Sequence, residues 1–201
     1  PDITSMKRLI DLGISLIACV FLTPLFLLLA AFVAVESSGG ALYQQERIGQ
    51  HGRPFLLLKF RSMRANMSGP QITMGNSDPR ITRVGQWLRK TKLDELPQLW
   101  NVVKGDMSLV GPRPEVAKYV DLYTPKQRDV LTVRPGLTDP ASIAAFDEGS
   151  RLESAEDPET YYREVILPEK VNAQLAYLQQ ATVLTDGRVI IRTLLRIFKR
   201  G

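Results

Sequence analysis

From Leu12 to Val35 the chain reads LGISLIACVFLTPLFLLLAAFVAV without a single charge. A helix of that length reaches across a hydrocarbon core of about 30 Å. Pro24 falls near its centre and divides it into halves that each reach only ~18 Å at helical rise. A cleaved leader fits poorly, since its apolar region usually runs only ~7–15 residues and no proline is expected at its middle. Basic residues stand on both sides: Lys7 and Arg8 before the run, and Arg47, Arg53, Lys59, Arg61 and Arg64 after it. Basic flanks favour the cytoplasmic side, and one crossing cannot put both flanks there. The expectation is a membrane helix broken at Thr23-Pro24 that enters and leaves by one face. An ordinary kinked span is the alternative, because membrane helices tolerate proline.

A second membrane element is expected at the other end. In DGRVIIRTLLRIFKRG, Arg188, Arg192 and Arg196 recur every fourth residue with Ile190, Ile191, Leu194, Leu195 and Phe198 between them. This basic amphipathic pattern suits an anionic bilayer surface, with packing on the protein's own core as the alternative. The chain thus divides into a membrane helix over 1–36, a soluble body over 37–184 and a surface helix over 185–201. Within the body, 41–60 reads as two short strands around GQHGRP. Residues 68–85, rich in Gly, Pro, Ser and Asn, read as a long functional loop. A short helix then precedes residue 94, and residues 114–131 and 158–184 read as helical, the latter interrupted at Pro168. The fold class is α-rich α+β.

The 201 residues carry a net charge of +5, which points to an anionic partner: nucleic acid, acidic lipid or a phosphorylated substrate. Few aromatics accompany the basic residues and no nucleic-acid motif occurs, which argues against nucleic acid. A membrane scaffold without chemistry remains as a second class. The single cysteine, Cys19, excludes a disulfide framework or a cysteine zinc site. One histidine, His51 in a turn-like segment, leaves little material for Ser-His-Asp catalysis.

Against this basic background TKLDELPQLW sets two adjacent acids, Asp94 and Glu95, after Arg80, Arg83, Arg89, Lys90 and Lys92. One reading is helix capping. Asp94 as N-cap puts Pro97 in the first turn and runs the helix to Gly105, a better register than a capping box from Thr91. The other reading is an active site. Arg113 lies between prolines in GPRP, which limits the entropy lost when its planar fork grips a phosphate. Lys59 and Arg61 in KFRSM can assist. Adjacent carboxylates among fixed cations suit magnesium and a diphosphate, since this hard ion is commonly shared between carboxylate and phosphate.

KRLIDLGISL, the proline-split apolar run, QQERIG, KFRSM, DPRITRVGQWLRKTKLDELPQLWNVVKGDMSLVGPRPE and VRPGLT occur in that order. Together they resemble the bacterial sugar transferase family, the monotopic phosphoglycosyl transferases, from about Lys7 to Thr138. The resemblance implies a membrane-associated α-rich fold with a re-entrant helix and a little β structure, seated on the cytoplasmic face of the bacterial inner membrane. It implies transfer of a sugar 1-phosphate from a nucleotide sugar, commonly a UDP-sugar, to a polyprenyl phosphate, with release of the nucleoside monophosphate. By position, Asp94 becomes the nucleophile and Glu95 its partner in holding Mg2+. Lys59, Arg89 and Arg113 become phosphate-binding residues, Thr23 and Pro24 the break of the hairpin, and Lys7, Arg8 and Asp11 its start near the headgroups. The chain departs from the family at Thr23-Pro24, where Ser-Pro is common, and at DPASIAAFDEG, where many members carry a Gly-x-Ala-Gln-Val-Asn type of segment. The first change keeps a hydroxyl; the second leaves the sugar undetermined.

Overall fold

A computed structural model describes residues 3–65, 78–139, 141 and 148–198. The apolar run forms one helix, α1 (Ile3–Glu36), whose helical backbone continues through Pro24. No interruption marks the proline. Pro24 has no amide to offer one turn back, and Thr23 Oγ1 donates to the Cys19 carbonyl at 2.8 Å, a back-bond that bends helices slightly. Along one stripe of α1, Asp11, Ser15, Leu29 and Val33 are buried, with Ala18, Cys19, Leu22 and Phe26 packed between them. Their three- and four-residue spacing is that of one helix face. Leu9, Ile17, Val20, Phe21, Leu27 and Val35 stay exposed on the rest of the helix, an apolar surface larger than soluble proteins leave bare.

The expected hairpin follows as β1 (Leu42–Ile48) and β2 (Pro54–Phe60), antiparallel with Tyr43 opposite Lys59. Its turn needs left-handed backbone at His51 (φ 58°) and Gly52 (φ 73°). Residues 66–77, most of the expected functional loop, lie outside the described residues. The chain returns as α2 (Arg83–Thr91), capped by Thr82, whose Oγ1 accepts from Gly85 N at 2.9 Å. A side chain at Gly85 would put its Cβ 2.0 Å from the Ser62 carbonyl oxygen, so the glycine lets α2 lie against the segment leaving β2.

After a tight turn at 93–95 comes α3 (Gln98–Lys104), ended by Gly105 at φ 96°. A second sheet pairs β3 (Ser108–Val110) in parallel with β4 (Gly136–Thr138). The expected helix over 114–131 is reduced to α4 (Ala117–Val120) and a 3-10 turn (Gln127–Thr132). Pro125 lies between them and disfavours helical backbone at Thr124. Beyond the second sheet come α5 (Glu148–Glu153) and α6 (Pro158–Tyr161), then a π-helical turn (Tyr162–Ile166), α7 (Leu167–Leu178) and α8 (Val183–Phe198). Pro168 does not interrupt the run. It sits in the first turn of α7, where a missing amide costs little, and the π turn before it absorbs the register change.

Among the described residues, three apolar clusters hold the body together. Val116, Tyr119, Val130, Tyr162, Ile166 and Val171 join α4 to α7. Leu57, Val102, Met107, Val110 and Val189 join β2, α3, β3 and α8. Leu29, Val33, Phe60 and Leu88 join α1 to β2 and α2. The last helix packs in part on the body, where Val189 is buried and Thr193 Oγ1 meets Thr138 Oγ1 at 2.7 Å, while Leu184, Ile191, Leu194 and Leu195 remain exposed.

Candidate active site

The acid pair lies in the turn that joins α2 to α3. Thr91 ends α2, its Oγ1 donating to the Trp87 carbonyl at 2.8 Å, so it caps no following helix. Lys92 turns the chain through left-handed backbone (φ 60°). Glu95 N then bonds Lys92 O at 3.2 Å and Leu96 N bonds Leu93 O at 3.3 Å, a single 3-10 turn. The helix expected to start behind Asp94 starts at Gln98 instead, with Pro97 in the N-cap position. The capping reading is thereby corrected: Asp94 is the N-cap of neither the 3-10 turn nor α3. Asp94 is 6% exposed, and its Oδ1 is buried without a hydrogen-bond partner. Folding alone does not favour an orphaned buried carboxylate oxygen.

Glu95 is fully engaged by comparison. The Arg113 guanidinium donates to both of its oxygens, at 2.5 Å and 3.3 Å, and Lys59 Nζ stands 3.7 Å away. Burial works to raise the Glu95 pKa, but Arg113 and Lys59 outweigh it and hold the carboxyl well below its ordinary range. For Asp94 the balance is reversed: burial and the adjacent Glu95 charge raise its pKa against Lys59, Lys92 and Arg89. Burial lowers Lys59 to about 8, with Glu95 opposing. It also lowers Arg89, whose favourable neighbours are Asp94, Asp78 and Glu95. Thus Lys59, Arg89 and Arg113 converge on the acid pair from β2, α2 and the loop after β3.

Supports for these side chains come from distant parts of the chain. Asn101, wholly buried, accepts from Leu58 N at 3.0 Å and donates to Leu56 O at 2.8 Å, which fixes the strand carrying Lys59. Arg8 donates to the last carbonyls of α3, Val102 O at 2.6 Å and Val103 O at 3.0 Å. Lys7 pairs with Asp186, and Asp11 accepts from Ser108 Oγ at 2.6 Å. These three residues therefore lie against the body, where α3, β3 and α8 offer partners. At the other end of α1, Glu36 accepts from the first amides of α2, Arg83 N at 3.0 Å and Val84 N at 2.7 Å. The sequence reading missed Asn101 and Glu36, and named Lys92 only as one of the basic residues before the acid pair. Only Asn101 left a sign, a polar residue within the apolar run of α3.

Among the described residues no cluster of three or more His, Cys, Asp or Glu side chains could hold a metal ion. A cation here would rest on the acid pair and on oxygens brought by substrate. The orphaned Asp94 Oδ1 fits that use, since magnesium is commonly bound through one or two carboxylates with phosphate and water completing its shell.

A buried acid with an unpaired oxygen, set among cations, is an arrangement suited to a phosphorylated substrate. The chain belongs to the bacterial sugar transferase family, whose family model matches residues 3–200. It is 36% identical over 191 residues to the UDP-glucose:undecaprenyl-phosphate glucose-1-phosphate transferase of Caulobacter vibrioides, covering 93% of this chain and 67% of that protein. It is 36% identical to the undecaprenyl-phosphate glucose phosphotransferase of Komagataeibacter xylinus, over 97% of this chain but 36% of that protein. Against the UDP-N-acetylgalactosamine-undecaprenyl-phosphate N-acetylgalactosaminephosphotransferase of Aeromonas hydrophila the identity is 39%, over 78% of this chain and 39% of that protein. The chain therefore spans much less than half of two of these relatives.

Proposed function

We propose that the protein is a phosphoglycosyl transferase that moves a sugar 1-phosphate from a UDP-sugar to a polyprenyl phosphate of the undecaprenyl type. The single observation that carries this reading is Asp94: buried, orphaned at Oδ1, and faced by Lys59 and Arg89. In the first step Asp94 attacks the β-phosphorus of the donor. The bond from that phosphorus to the oxygen bridging the α-phosphate breaks, and the nucleoside monophosphate leaves with the bond's electrons. In the second step a phosphate oxygen of the acceptor attacks the same phosphorus, the aspartyl bond breaks, and the free carboxylate is restored. Two displacements at one carboxylate let a soluble and a lipid substrate use the site in turn.

Each neighbouring residue has a defined task. Arg113 and Lys59 neutralise Glu95, so the negative charge beside Asp94 is spread into a cationic cluster. The same cations offer donors to phosphate oxygens as charge develops. Mg2+ bound by Asp94 and Glu95 would supply charge neutralisation of the diphosphate; Glu95 would have to share its oxygens with Arg113 to take part.

The membrane seating belongs to the same proposal. Helix α1 is long and apolar enough to cross a bilayer by length and composition. Its contacts with the body run from Lys7 to Glu36, which supports a helix that enters and leaves one face, bent at Pro24, over a crossing that separates its ends. The cytoplasmic face is inferred from its basic flanks.

The test is intact-protein mass spectrometry of the detergent-solubilised chain mixed with Mg2+ and a panel of UDP-sugars, without lipid acceptor. A phosphosugar adduct is expected on the parent protein and not on Asp94→Asn. No adduct with any donor, together with acceptor-dependent transfer by Asp94→Asn, would reject the mechanism.

A further inference from the structure

One buried charge cluster lies outside the chemistry above. Lys170, on α7, and Glu115, two residues after Arg113, are each only 7% exposed. Lys170 Nζ donates to Glu115 Oε1 at 3.0 Å and to Tyr162 Oη at 3.0 Å. Tyr162 in turn donates to the same Glu115 oxygen at 2.6 Å. Arg47, from β1, donates to Glu115 Oε2 at 3.3 Å and to the Pro114 carbonyl at 3.1 Å. Lys170 also lies 3.4 Å from Glu148 of α5. Burying such a cluster gains little stability over well-packed apolar residues, because desolvation offsets the attraction. Its geometry is therefore the property to explain.

That geometry is passed to Arg113. Both neighbours of Arg113 are prolines with fixed φ, so the segment from Pro112 to Glu115 has few soft torsions. It is tied at one end by Gly136 N to Pro112 O at 2.8 Å, and at the other by Ile48 N to Glu115 O at 2.8 Å. The side chain of Glu115 supplies the remaining constraint, and Lys170 and Tyr162 determine where it rests. We propose that Lys170 is a positioning residue: by closing on Glu115 it holds the Pro112–Glu115 segment where Arg113 grips Glu95 and the donor phosphate. The inference rests on the reading of Arg113 as a phosphate-binding residue.

The experiment compares the parent protein with Lys170→Met, Arg113→Lys and their combination, in two readouts: rate of adduct formation and amide hydrogen exchange. Lys170→Met is expected to slow adduct formation about 10- to 100-fold, the cost of a small misplacement in a site. Amides over 111–116 should exchange faster while those of α3 keep their rates. On the Arg113→Lys background the same change should cost no more than about twofold, because coupled residues are not additive. An equal loss on both backgrounds, or a folded Lys170→Met with parental rate, overturns the proposal. If Lys170→Met does not fold, Glu115→Gln with Lys170→Met removes the buried pair together, Arg47 keeping the Pro114 carbonyl, and stands in for it; a parental rate there also overturns the proposal. A parent that forms no adduct while exchange over 111–116 still responds would sink the donor reading but support the positioning role. An active parent with no response in either readout would do the reverse.

Discussion

At the scale of single residues, the site is a balance between desolvation and charge, and the two adjacent acids end on opposite sides of it. Glu95 is held ionised by Arg113 and Lys59, whereas Asp94 bears the cost of burial with one oxygen unpaired. Asp94→Asn removes that buried charge, so the variant should be at least as stable as the parent in thermal melting while losing the adduct; such trade-offs mark functional sites. A pH profile follows from the same shifts. Adduct formation needs Asp94 ionised and Lys59 protonated, so the rate should rise as pH climbs through the elevated Asp94 value and fall as it passes about 8, where Lys59 gives up its proton. Lys59→Arg, which stays charged, should remove the alkaline fall; a fall that persists unchanged would assign it to another group. The acid pair and its cations were legible in the sequence because adjacent carboxylates within a basic stretch are unusual. The alternative reading of Asp94 as a cap fails because the αL residue at Lys92 and the 3-10 turn depend on packing that no local pattern records.

Among the elements, α1 acts as a clasp over the pair of helices that presents the site. Arg8 holds the C-terminal end of α3 and Glu36 the N-terminal end of α2, so the acid-bearing turn lies between two helices gripped at their far ends. A cation at a helix C-terminus contributes roughly 0.3–1 kcal/mol, and Arg8→Met should lower the melting temperature accordingly, more at low salt than at high salt. The Glu115 cluster gives a second measurable signature. Burial opposes ionisation of Glu115, but Lys170 and Arg47 bring its pKa down from 4.5 to about 2. A depressed carboxyl stabilises the fold above its unfolded value and loses that contribution as pH falls through the folded one, so this group contributes about 3 kcal/mol that disappears between about pH 4.5 and 2. Glu115→Gln should flatten the acid limb of the stability curve; an unchanged limb would mean that other carboxylates set it. Here the sequence was legible in part. The hairpin declares itself through local turn chemistry, but the three-residue strands β3 and β4 pair across a long excursion and carry too few residues for any periodicity.

For the whole molecule the controlling fact is that both ends of α1 are bound to one body while its outer face stays apolar. The apolar run announced a long helix with an apolar surface, but not which of its residues the body claims; only packing against Phe60, Leu88 and Val102 decides that. A body gripped near Lys7 and again at Glu36 cannot have those ends on opposite sides of a bilayer unless the contacts break. Ser5 and Ser38 are both exposed and flank the helix, which makes them suitable label sites. In a Cys19→Ser background, single cysteines at Ser5 and Ser38 should both resist a membrane-impermeant thiol reagent in intact cells and both react once the cells are opened. Reaction at one position alone in intact cells would mean a true crossing. The Arg8 and Glu36 contacts could not then both exist, and the seating of the acid-bearing turn beneath the membrane helix would have to be redrawn.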